Sequence, residues 1–79
     1  MSVFKAVTVC GLELAVISKI NFVAVDRTGE IWAFEFKPEA LSRRGEWRMT
    51  RYVGESICLG IITRDRLKRG EWLKTLISV

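Results

Sequence analysis

Short apolar runs alternate with polar punctuation along the chain, and inside the runs the period is close to two. Between Val3 and Ile17 β-branched residues dominate; in LELAV, Leu12, Leu14 and Val16 share one side of an extended chain, with Glu13 and Ala15 on the other. Cys10-Gly11 interrupts this stretch as a tight turn or a bulge. In INFVAVDRTGEIWAFEFKPE an apolar run meets Asp26-Arg27-Thr28-Gly29 and then an alternating run. Asp at the first position and Gly at the fourth suit a type I turn, in which Asp caps its own backbone and Gly takes the positive φ of the exit. This predicts a β-hairpin.

In the second strand of that hairpin Trp32, Phe34 and Phe36 fall on one face, and Ile31, Ala33, Glu35 and Lys37 on the other. The aromatic stripe reads as core or as a subunit interface. Pro38 has no N–H for a ladder and ends the strand. Residues 39–45 are polar and turn-like. WRMTRYV and SICLGIITR are two further strand candidates, the second alternating Ile57, Leu59 and Ile61 against Cys58, Gly60 and Ile62. The tail, RLKRGEWLKTLISV, suits either a short helical turn at residues 72–76 or a last strand. No Ser/Gly linker divides the chain. The expectation is a mainly β single domain over residues 1–79, an antiparallel sheet or partly open barrel of about 5–6 strands with one short C-terminal helical turn.

RGEW occurs twice, at residues 44–47 and 69–72. Aligned on it, Thr50 also meets Thr75, but nothing upstream extends the match, so no duplicated unit is indicated. TGEIW at residues 28–32 follows the same logic: Gly makes a turn, Glu stays in solvent, and Trp anchors the next element. RGEW is therefore read as one turn-then-anchor solution reached repeatedly.

NFVAVDRTGEIWAFEFKPE, then GEW, CLG and EWLKTLISV, resembles a class of small proteins encoded by tailed phages and prophages. Their shared pattern is an apolar strand, an Asp-x-x-Gly turn, an aromatic strand stopped by Lys-Pro, a mid-chain Trp and a closing Trp with a Leu-Ile end. The likeness covers residues 20–79. It implies origin and structural anchors, and it carries over no catalytic residue.

Composition adds a self-association surface to this picture. A chain of 79 residues buries only about 60–65% of the surface that its unfolded form exposes, and 49% hydrophobic residues is more apolar content than so small a core hides. A homo-oligomer is expected. No apolar run approaches the roughly 18–20 residues needed to span a bilayer, and MSVFKAV lacks the apolar core of a secretory signal. The expected location is the host cytoplasm, away from membranes. Cys10 and Cys58 sit in apolar contexts with no His or neighbouring Cys, so buried free thiols are expected and no metal site.

Chemistry is sparse. The absence of His removes the commonest general base and metal ligand. No Ser lies in a nucleophile-elbow context and no phosphate loop is present. Asp26 and Glu30 could form an acid-base pair, but on a hairpin tip they read as solvated turn residues. The chain is expected to be no enzyme and to need no cofactor. Charge is asymmetric: four basic residues face five acidic ones over residues 1–42, against nine basic and four acidic over residues 43–79.

Most of that basic excess is Arg, whose guanidinium fork binds phosphate or carboxylate bidentately and stacks on aromatic rings. Arg43, Arg44, Arg48, Arg51, Arg64, Arg66 and Arg69, interleaved with Trp47 and Trp72, are the candidate ligand-binding residues. The alternative is a solvated basic face. The leading expectation is a phage-encoded counter-defence accessory protein that sequesters an anionic, nucleotide-like ligand or blocks a host protein. A small basic nucleic-acid-binding module and a virion structural or assembly component are the alternatives.

Overall fold

A computed structural model describes residues 3–63 and 67–79, which carry eight strands and one 3-10 turn and make the protein mainly β. Strands β1 (Phe4–Val9) and β2 (Leu12–Ile17) form an antiparallel hairpin with Val7 opposite Leu14 and Val9 opposite Leu12. Its two-residue connection puts Cys10 at φ 49° and Gly11 at φ 81°, the left-handed pair whose twist matches that of the flanking strands. Next come β3 (Phe22–Val25) and β4 (Glu30–Phe34), joined by the Asp26–Gly29 turn as the sequence predicts. The Asp26 N–H donates to the Glu30 carbonyl at 2.8 Å and the Gly29 N–H to the Asp26 carbonyl at 2.9 Å.

A third hairpin follows, from β5 (Glu39–Leu41) and β6 (Glu46–Arg48). Then β7 (Ser56–Ile61), a 3-10 turn at Glu71–Lys74 and β8 (Ile77–Ser78) complete the chain. The four-stranded sheet has the order β7-β4-β3-β8, with antiparallel pairing throughout. Both its faces are covered. Val23, Val25, Ile31 and Ala33 pack with Val7, Val9 and Val16 of the first hairpin and with Ile20 and Ile62. On the other face Ala24 and Phe34 pack with Trp47 and Trp72, flanked by half-buried Phe22, Trp32 and Met49. A strand buried on both faces reads as an unbroken apolar run, which is why FVAV shows no alternation.

Several local expectations change. Residues 39–41, read as turn, form β5, because the turn that follows has the Arg44 and Gly45 N–H groups both donating to the Leu41 carbonyl and returns the chain alongside. WRMTRYV supplies a strand only as far as Arg48, since β5 offers three partners and no more. In β7, Ile31 pairs with Gly60 but Trp32 with Cys58, leaving Leu59 as the extra residue of a bulge. The bulge inverts the alternation beyond it, so Ile62 is buried and Ile61 is exposed. Cys10 and Cys58, expected to be buried, are both exposed: one sits at a hairpin tip, the other on a sheet edge. The tail holds both of the elements weighed for it, a helical turn and then a strand. Among the described residues no helix is long and apolar enough to cross a membrane.

Gly29 has φ +97°, and a Cβ built there would lie 2.5 Å from the Ile62 carbonyl oxygen, which accepts no adjustment without moving backbone. Strain and collision act together, so Gly29→Val is expected to cost at least about 1–3 kcal/mol. Chemical denaturation checks this; an unchanged midpoint contradicts it.

Candidate functional site

The two RGEW segments meet in space. In each the second residue is a left-handed Gly, Gly45 at φ 69° and Gly70 at φ 77°, and each delivers a buried Trp two residues later. The Trp47 and Trp72 rings stand edge to face, with centroids 6.2 Å apart. The Trp47 indole N–H donates to the Val25 carbonyl at 3.1 Å and to the Trp72 carbonyl at 3.3 Å. Both rings therefore belong to the core, and neither offers an open face to a nucleobase.

Asp26 departs furthest from its sequence reading. It is 6% exposed, and its carboxylate accepts the Trp47 backbone N–H at 2.9 Å, so the turn's side chain holds β6 in place. Burial pushes the Asp26 carboxyl above its usual range, the nearby charges of Glu30 and Glu46 push the same way, and the Trp47 hydrogen bond opposes them. Glu30 is half-buried and accepts the Trp32 indole N–H at 3.2 Å.

These residues line a cleft of about 420 Å³ between the sheet face and β6: Asp26, Glu30 and Glu46 supply carboxylates, Trp32, Phe34 and Met49 supply apolar surface, and Arg48 is the one cation among the described lining residues. The Glu46 Oε1 atom is buried without a hydrogen-bond partner, with Arg44 at 3.7 Å and Arg48 at 3.6 Å. Those separations are ion pairs too long for hydrogen bonds. Among the described residues no three carboxylate or thiol side chains are placed to hold a metal ion.

The expected cationic cluster is divided. Arg44 and Arg48 flank Glu46, and Arg51 pairs with Glu39 at 3.2 Å. Arg43 lies with Arg44 on the turn between β5 and β6, while Arg69 stands apart beside the 3-10 turn. Arg64 and Arg66 fall outside the described residues. Of the aromatic stripe, Phe34 is core, Trp32 floors the cleft, and Phe36 packs against Tyr52 at 5.3 Å. No family model, no curated protein and no solved structure matches the chain.

Because the folded state binds the Asp26 proton more tightly than the unfolded chain, this group's contribution to stability is complete below the ordinary Asp value of about 3.9 and is lost as pH rises through the higher folded value. Asp26→Asn keeps an acceptor for the Trp47 N–H and removes the charge. Its unfolding midpoint is expected to exceed the wild type's at neutral pH, with the gap closing below pH about 3. Greater wild-type stability at neutral pH contradicts this.

Proposed function

We propose that the protein is a small non-enzymatic binding protein of phage or prophage origin that blocks a host protein by taking one of its cationic side chains into the acidic cleft. The observation that carries this reading is the lining: three carboxylates over an aromatic floor, one of them 6% exposed and one with a buried oxygen lacking a hydrogen-bond partner. Gathering like charges in partial burial raises the energy of the empty cleft. A guanidinium offsets that cost, since its fork matches carboxylate oxygens and its flat face stacks on an indole.

Sequestration of an anion by the arginine cluster has less support, because Arg44, Arg48 and Arg51 are already paired with carboxylates and Trp47 and Trp72 are buried. The same pairing weakens the nucleic-acid alternative, for which basic residues free to neutralise phosphates are the first requirement. An assembly role in the virion draws on no particular feature of the fold.

Titration with N-acetyl-arginine amide, followed by NMR of the Trp indole N–H signals, tests the cleft. The Trp32 signal is expected to shift, and Glu30→Gln combined with Glu46→Gln to weaken binding about tenfold or more, the equivalent of about 1.4 kcal/mol. A Trp32 signal that stays fixed up to about 10 mM, well beyond the weakest specific affinities, overturns the reading.

A further inference from the structure

Two clefts adjoin at the 3-10 turn, on residues that take no part in the acidic cleft. One, of about 410 Å³, is lined by Lys68, Arg69, Gly70, Glu71 and Lys74. Its neighbour, of about 230 Å³, is lined by Thr8, Val9, Cys10, Thr75 and Ile77, and again by Glu71 and Lys74. Glu71 and Lys74 line both. The first is cationic and the second is mostly uncharged.

Within the described part of the basic half, Arg44, Arg48 and Arg51 each have a carboxylate partner, whereas Arg43, Lys68, Arg69 and Lys74 have none, and the last three of these lie together in one cleft. Among the described lining residues three cations accompany one carboxylate, and Glu71 already has an oxygen bound to the Lys68 backbone N–H at 2.9 Å. At Gly70 a Cβ would meet nothing within 4 Å, so the backbone between the cations stands open to close approach.

We infer that this double cleft binds a phosphate ester of a small uncharged group, such as a nucleoside monophosphate. The phosphate sits among Lys68, Arg69 and Lys74, where a guanidinium fork and two ammonium groups satisfy its oxygens. The uncharged moiety lies in the second cleft against Val9, Ile77 and Thr8, and its contact there distinguishes an ester from inorganic phosphate. Because the cations are exposed, binding weakens as salt rises. Of the described arginines expected from sequence to hold an anion, Arg69 alone lines this cleft, together with two lysines.

Calorimetric titration at low ionic strength with inorganic phosphate, adenosine monophosphate and a single-stranded oligonucleotide decides the matter. Adenosine monophosphate is expected to bind about tenfold or more tightly than phosphate. Arg69→Ala with Lys74→Ala, both at exposed positions, is expected to weaken both ligands by a similar factor. Thr8→Trp, which narrows the second cleft, is expected to erase the preference for the ester while leaving phosphate binding in place. Lys68→Glu gives a second loss-of-binding variant on an exposed side chain. Equal affinity for phosphate and ester, no heat from either, or oligonucleotide binding that is strongest and indifferent to Thr8→Trp would each overturn the inference.

Discussion

Val25 sets the constraint on which the structure depends. It is fully buried in β3, yet the neighbouring strand β8 pairs only with Phe22 and Val23. The outward peptide groups of Val25 thus face protein where no strand runs, and each would cost about 1–3 kcal/mol if left unmet. Side chains replace the absent strand. The Val25 N–H donates to the Thr75 hydroxyl at 2.9 Å, and its carbonyl accepts the Trp47 indole N–H at 3.1 Å. The Thr75 oxygen lies 2.7 Å from the Trp72 carbonyl and 3.1 Å from that of Val25, so its single proton is shared between two acceptors. The backbone groups of one buried residue thereby tie β3, β6 and the 3-10 turn together.

The acidic cleft follows from the same connection. With its indole held on β3 and its N–H held by Asp26, Trp47 carries β6 across the sheet face, which brings Glu46 and Arg48 over Trp32 and Phe34. Asp26 cannot hold that N–H and remain in water, so the cost of burying a carboxylate is built into the attachment of β6. Structural anchoring and a charged recess therefore have one origin. The cationic cleft is likewise an outcome of where Thr75 holds the 3-10 turn, since Lys74 immediately precedes that residue.

Much of the fold is legible in local patterns, because turns and strand ends are decided by the residues that form them. Asp26 to Gly29 makes its hairpin, Cys10-Gly11 makes another, and a left-handed Gly precedes each RGEW tryptophan. The site is far less legible. Asp26, Glu30 and Glu46 converge only once β6 folds over the sheet, and nothing local distinguishes Asp26 from an ordinary solvated turn residue. The arginines are scattered for a related reason: the turn between β5 and β6 brings Arg44 and Arg48 to Glu46, and the chain beyond β6 brings Arg51 to Glu39. The bulge at Leu59 also has no local marker beyond Gly60, although it decides which of Ile61 and Ile62 enters the core.

A double-mutant cycle on Trp47→Phe and Thr75→Val tests the central role of the Val25 backbone most directly. Phe keeps a ring in the core without the indole donor, and Val keeps the shape of Thr without the hydroxyl. Because both side chains serve Val25 and the Trp72 carbonyl, each substitution is expected to destabilise the protein by about 1–3 kcal/mol in chemical denaturation. The pair is expected to depart from additivity by about 0.5 kcal/mol or more. Single effects below about 0.5 kcal/mol that simply add would contradict the account.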